Sequence, residues 1–392
     1  THANVVLQKG NVLSLKRNTK FGRAIVAGSG PSLDSSIIEN RDLFDNSFVI
    51  AAGTAVEPLL HAGIDVDICV ILERGKGLIE VYEEMAQRVD LTKVNLIASS
   101  TVAPGLSQFF GSAAFFFRPG LNVHAGFRAD TAETLYGCDP TVSNTALALC
   151  KSLNFSQCLL IGVDMGSVDV TRHHSGNSAY HTGTTQFTQR FNLPAIGSLG
   201  GPAVTNSVLH WARQSLENLV RGGYAETQVI NCSDGVAIAH APTVLRDIGV
   251  DIDKYFPIVK VNSPQVMDIS VEYDTTRMEY DAGSLEELVA SLQCKIERFN
   301  WNDRAQVGSD LYDLLWSSGN RKAWPMIIRG SIYLLIWHAY SVLGRLTPSQ
   351  REDAESIFRE ALQAAIAYMV EKIRSDVIET CEQDPYSEKT AG

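Results

Sequence analysis

The chain lacks the marks of several protein classes. No C-x-x-C pair occurs among its seven cysteines, at 69, 138, 150, 158, 232, 294 and 381, which speaks against a cysteine-built motif. Scattered, and several of them embedded in apolar runs, they read as reduced core thiols of a cytosolic protein. Positive charge is scarce: 33 Lys and Arg against 44 Asp and Glu leave a net charge of −11, so the average surface repels nucleic-acid phosphates. Long hydrophobic runs are missing too. The longest near the end, "SIYLLIWHAYSVLG", lies between Arg329 and Arg345 and falls short of the ~20 residues a bilayer demands, so no membrane span is expected. The opening "THANVVLQKGNVLSLKRNTK" has no charged leader followed by a continuous apolar segment; no signal peptide is expected and the expected location is the cytoplasm. G-x-x-x-x-G-K-[ST] is absent, which speaks against a P-loop kinase.

What is present is a repeating pattern. The segments "AIVAG", "SFVIAAG", "DICVILE", "VNLIASS", "AAFFFRPG", "CLLIGVD" and "TQVINCS" alternate with helical or loop stretches between residue 24 and about 260. Strands apolar on both faces predict a Rossmann-like α/β fold, a mostly parallel sheet with helices on both faces. "NTALALCKSL" (144–153) and "VLHWARQSLENLV" (208–220) carry helix periodicity. Beyond 265 the character changes. Ser284 and Glu287 have capping-box spacing ahead of a stripe of Leu285, Leu288, Val289, Leu292, Ile296 and Phe299. Thr347 reads as an N-cap with Pro348 at the first helical position, and the stripe that follows takes in Ile357, Ala361, Leu362, Ala365, Ile366, Met369 and Ile373. The expected organisation is a lead-in over 1–20, a Rossmann-like domain over 21–265 and a C-terminal helical domain over 275–385.

The first predicted strand ends in Gly28-Ser29-Gly30-Pro31-Ser32, at the sheet edge where ligands of such folds bind. Two readings stand: a phosphate cradle, or a tight strand-to-helix connection. A dehydrogenase-type dinucleotide site is disfavoured, because Leu33 replaces the third glycine, Pro31 removes an amide donor and "SFVIAAG" ends without a ribose-binding acid. Small polar groups recur at other strand ends: Gly53 and Thr54, Glu73, Asp164, and Ser143-Asn144-Thr145 at a helix N-terminus. Singly they read as caps, turn residues and a surface charge; together they outline a polar crevice. His173, His174 and His181 follow in a long loop, where imidazoles suit acid/base chemistry near neutral pH or stand simply solvated. Their spacing lacks a zinc pattern, and no metal site is expected.

The stretches "AIVAGSGPSLD", "AAGTAVEPLLHAGIDVDICVILE", "TVSNTALALCKSLNFSQCLLIGVDMG", "HHSGNSAY" and "VINCSDGVAI", in this order, resemble the 6-hydroxymethylpterin diphosphokinase-like domain of motility accessory factor glycosyltransferases. The resemblance runs over roughly 20–240, and the helical tail is similar to the C-terminal part of that subfamily. It implies that 21–265 is a nucleotide-sugar-binding catalytic domain. The implied enzyme is cytoplasmic and moves a nonulosonic acid, of pseudaminic or legionaminic type, from a CMP-activated donor to Ser or Thr of flagellin, the protein partner. Motility accessory factors usually carry a region ahead of this domain. The turn and the Ser143-Asn144-Thr145 segment are also similar to CMP-binding elements of bacterial sialyltransferases, whose turn has Asn where this chain has Ser29. On this reading Gly28, Ser29, Gly30, Pro31, Ser32, Gly53, Thr54, Glu73, Ser143, Asn144 and Thr145 hold the donor. His174 is the base, His173 and His181 stand behind it, and Asp164 orients it or serves in its place. No cofactor is required beyond the CMP-activated sugar as substrate, with Mg²⁺ an optional addition. Two alternatives remain: a 6-hydroxymethylpterin diphosphokinase using ATP and Mg²⁺ held by Glu73 and Asp164, and a non-catalytic flagellin-binding module.

Overall fold

The computed structural model describes residues 1, 3–15, 19–75, 77–119, 126–169, 171–179, 190–222, 226–244, 251–255, 257, 266–275, 282–315, 328, 332, 335–336 and 338–375. The chain divides into two compact units, one chiefly of Ala3–Arg118 and Asp130–Tyr273, the other chiefly of Pro119–Ala129 and Asp274–Gly392.

The first unit is built on a nine-stranded sheet. Its strands are β1 (Asn11–Leu13), β2 (Phe21–Ala27), β3 (Phe48–Ala52), β4 (Ile68–Ile71), β5 (Asn95–Ser99), β6 (Ser112–Phe116), β7 (Phe155–Ile161), β10 (Gln228–Asn231) and β11 (Ser270–Glu272); β8 (Leu193–Ile196) and β9 (Pro202–Thr205) form a separate hairpin. The order is β10-β7-β2-β3-β4-β5-β6-β1-β11, parallel throughout except for β11. All seven apolar segments singled out in the sequence form parallel strands of this sheet. The Rossmann-like architecture thus stands, with a helical region after it. Residues 11–13, inside the stretch read as a lead-in, pair with β6 and β11, and β11 lies beyond residue 265.

The helices named below are α1 (Leu33–Glu39), α2 (Val56–His61), α3 (Gly77–Ala86), α4 (Val142–Ser152) and α5 (Ser207–Arg221) in the first unit. On one sheet face Ala24, Val26, Phe48, Ile50, Ile68, Val70 and Ile97 pack in a core shared with Ala146, Leu149 and Leu153 at α4 and with Ala212 and Leu216 of α5. The opposite-facing Ile25, Val49, Ala51, Cys69, Ile71 and Leu96 are buried as well. Two covered faces explain why these strands read as unbroken apolar runs. Burial pushes the thiols of Cys69, Cys138 and Cys232 up to about 12, which keeps them protonated. Cys294 departs from the core-thiol reading, being exposed, and Cys381 lies outside the described residues.

The chain runs β2 to β6 outward on one side of β2, then returns to place β7 and β10 on the other side. The order therefore reverses between β2 and β7, and the carboxyl ends of these strands flank the crevice where ligands of open α/β sheets bind.

In the second unit α6 (Ala282–Arg298), α7 (Arg304–Leu315) and α8 (Pro348–Ile373) share a core of Leu285, Leu292, Ile296, Trp301, Leu315, Leu362 and Ile366, among others. Thr347 and Gln350 form a capping box on α8. Two details differ from the sequence reading. Helix α6 starts at Ala282, so Ser284 sits in its first turn and not at the N-cap. Ile357 is 64 % exposed while Phe358 packs on the core, which rotates the buried stripe of α8 by one residue at its start. Among the described residues no helix is long and apolar enough to cross a membrane.

Candidate active site

The turn after β2 and the turn after β7 touch through backbone. The Gly28 N–H donates to Ile161 O at 2.8 Å and the Gly30 N–H to Gly162 O at 2.9 Å. A Cβ on Gly28 would stand 2.5 Å from the Gly162 carbonyl oxygen, and one on Gly30 would collide with the Asp164 carboxylate. Gly162 itself has φ +66°, and its Cβ would run into Gly28. Glycine recurs here because two strand ends meet without room for a side chain. Of the two readings of the Gly28–Ser32 turn, the tight connection accounts for the glycines.

Asp164 closes this clasp. Its Oδ2 accepts the Ser32 N–H at 2.9 Å and its Oδ1 the Ser32 hydroxyl at 2.5 Å. Its own carbonyl accepts the Val236 N–H at 2.8 Å, tying in the turn after β10. Only 4 % exposed, its carboxyl is pushed up to about 6 by burial, with Asp234 adding to the rise while the Ser32 bonds and Arg172 oppose it. With both oxygens engaged by one serine, this carboxylate ties the turns after β2 and β7 together while still lining the cleft described next.

Above the clasp opens a cleft of about 350 Å³, at the lower end of the size of small-molecule sites. Ser29, Gly30 and Pro31 line it after β2, Gly53 and Thr54 after β3, Glu73 after β4, Ser143 at the start of α4, Asp164 after β7, and His173 and His174 from the loop beyond. Gly53 has φ +57°, the left-handed conformation its turn requires. Thr54 is buried, 3.4 Å from the Ser178 hydroxyl, and Glu73 is exposed. Leu78, Tyr82 and Leu209 supply an apolar wall.

Four expected donor-binding residues do not line the cleft. Gly28 and Ser32 serve the clasp. Asn144 and Thr145 are fully buried in structural bonds. The helix is capped by Thr141, whose hydroxyl lies 2.6 Å from Asn144 Oδ1, while Asn144 Nδ2 donates to Ala212 O at 2.9 Å and the Thr145 hydroxyl to Cys138 O at 2.7 Å. The cap is thus Thr141, ahead of the Ser143 and Asn144 proposed from sequence, and Thr141 and Val142 themselves line the cleft.

The histidine loop is stitched down by a residue the sequence reading passed over. Asp34, in the first turn of α1, accepts from the Ser175 hydroxyl at 2.5 Å, the Gly176 N–H at 2.9 Å and Arg172 Nη2 at 3.2 Å. The Ser175 N–H donates to Ser29 O at 2.9 Å. His173 lies edge-on to Phe191, with ring centroids 5.1 Å apart, and its Nδ1 is buried with no hydrogen-bond partner among the described residues. His181 lies outside the described residues. An acid one position past "GSGPSL" was the available signal for Asp34; its partners are remote in sequence. The apolar wall of Leu78, Tyr82 and Leu209 carried no such signal.

A Mg²⁺ site made of Glu73 and Asp164 fits poorly, because Asp164 is committed to Ser32. Among the described residues no three His, Cys, Asp or Glu side chains gather to hold a metal ion.

Residues 2–170 match the family described as 6-hydroxymethylpterin diphosphokinase MptE-like, fewer than half of the 392 residues. No curated relative matches the chain. Among solved structures, that of MAf glycosyltransferase from Magnetospirillum magneticum AMB-1 is similar with a TM-score of 0.71 and 21 % identity, over 95 % of this chain and 58 % of that one. The chain thus spans little more than half of the length of that protein. At this identity the likeness concerns the fold alone.

Proposed function

We propose that the chain is a glycosyltransferase that moves a nonulosonic acid, of pseudaminic or legionaminic type, from a CMP-sugar to a Ser or Thr hydroxyl of flagellin. The observation that carries the reading is the cleft at the sheet's switch point, which hydroxyls, a helix N-terminus and two histidines line together. Ser29, Thr54, Ser143 and the first turn of α4, whose leading amides have no intrahelical carbonyl, form the donor side. As the bond between the sugar and the phosphate of CMP breaks, these groups stabilise the charge on the departing phosphate. His174 takes the proton of the acceptor hydroxyl as its oxygen forms the new glycosidic bond. His173 supports it, and Asp164 acts at a distance, by fixing the turns. The shared fold with MAf glycosyltransferase is in keeping with this assignment.

A second reading, pyrophosphoryl transfer from ATP to a hydroxymethylpterin, is favoured by the family matched over residues 2–170. Against it stands the commitment of Asp164 to Ser32, which leaves Glu73 as the single expected carboxylate ligand facing the cleft.

Calorimetric titration with CMP and with ATP plus Mg²⁺ separates the two, and incubation with CMP-sugar and flagellin completes the test. Glycosyl transfer requires CMP binding, together with CMP release and a mass increase on flagellin whose rates both fall at least ~100-fold in His174→Gln. ATP binding with AMP release in the presence of hydroxymethyldihydropterin, and no response to CMP, overturns it. Flagellin binding without any mass increase would assign a non-catalytic module.

A further inference from the structure

The geometry points to Asp34 as the positioning residue of the histidine loop, setting where His173 and His174 stand against the donor side of the cleft; this rests on the glycosyl-transfer reading. Asp34 receives bonds from both sides of the histidine pair: Arg172 precedes it, and Ser175 and Gly176 follow it. Ser175 is fully buried and also donates its N–H to Ser29 O, so one short segment, Ser29 to Asp34, carries the donor-facing turn and grips the loop that bears the base. The separation between leaving group and base is thereby fixed by two adjacent anchors.

A purely fold-stabilising role accounts for less. Helix α1 is already held by Leu33, which is fully buried, and by the bonds from Ser32 to Asp164. The Asp34 side chain remains 30 % exposed, open to water, yet it makes three contacts to a single five-residue stretch.

The test uses Asp34→Asn, which keeps the shape and one acceptor oxygen, Asp34→Ala, which keeps neither, and Ser175→Ala, which removes one bond. Hydrogen exchange across 172–176 and the rate of diethyl pyrocarbonate modification of His173 and His174 are measured on each full-length variant, together with kcat and KM for CMP-sugar. Positioning requires exchange and modification to rise at least ~10-fold in Asp34→Ala, with smaller rises in Asp34→Asn and Ser175→Ala. It also requires kcat to fall ~10- to 100-fold while KM for the donor stays within ~2-fold. Unchanged exchange and modification overturn the assignment, as does a raised KM with kcat intact. If the wild-type chain transfers no sugar from CMP, the glycosyl-transfer reading has failed instead, and exchange and modification alone decide whether Asp34 places the loop.

Discussion

Two aspartates stand at the two ends of one short segment and do different work. Asp164 is buried beneath the cleft, reached from Ser32, and joins the turns after β2, β7 and β10. Asp34, two residues further along than Ser32, is partly exposed and reaches outward to a loop. The Asp34 carboxylate accepts three bonds and that of Asp164 two, but the environment assigns the roles. A buried acid whose oxygens are filled is scaffold, whereas a half-solvated acid can hold a loop that must meet a substrate.

The clasp side of this contrast breaks most easily at Gly162. With φ +66°, and with its Cβ placed against Gly28 backbone and 2.9 Å from Leu33 Cβ, Gly162→Ala should lose at least ~4 kcal/mol of stability in urea unfolding. Asp164→Ala follows at ~3 kcal/mol, through a small void and a buried Ser32 N–H left without its acceptor. Asp164→Asn tests the charge separately. Burial raises this carboxyl to about 6, above its unfolded value of about 4, so the folded protein holds the proton more tightly than the unfolded chain does. The stability it contributes is complete below about pH 4 and disappears as pH rises through about 6, a change on the order of 2 kcal/mol. Asparagine, uncharged at every pH, should flatten that slope when unfolding is followed from pH 4 to 7.

How much of this was legible follows the same division. The seven parallel strands read from the sequence could be found because most of their residues are buried on both faces, so the apolar signal runs nearly unbroken through each. Strands β1, β8 and β11 could not. They are three or four residues long and partly exposed, as the mostly exposed Leu193–Ile196 shows. The rim of the cleft was legible at Ser29, Thr54, Glu73 and Ser143, since each directly follows a strand or opens a helix. The reason for the glycines was not, because the turn that excludes their side chains lies more than a hundred residues away, as does Asp164 from Ser32. For Asn144 the local rule misled by three positions: Thr141 is the cap, and Asn144 is its reciprocal partner. On α8, Ile357 and Phe358 satisfy the helical stripe almost equally in sequence, and packing alone chose Phe358.

The comparison sharpens at smaller effects. Ser32→Ala removes one of the two bonds into Asp164 and should lower stability by ~1 kcal/mol. Because the hydroxyl opposes the burial that raises Asp164, its loss should also move the inflection of the stability profile to higher pH. A stability profile unchanged from the wild type would mean that the serine hydroxyl does not bear on the carboxylate.

The smallest global effect is expected at Asp34. Its partners lie in one loop, its side chain is 30 % exposed, and water can replace much of what Asp34→Asn removes, so unfolding should change by no more than ~0.5 kcal/mol. Loop opening costs far less than global unfolding and is the event this substitution eases. Exchange at Gly176 should therefore rise while the urea midpoint stays in place. A loss as large as that of Asp164→Ala would show that the loop and the clasp unfold as one unit. The two aspartates would then share one structural role, and the division of labour drawn between them would be lost.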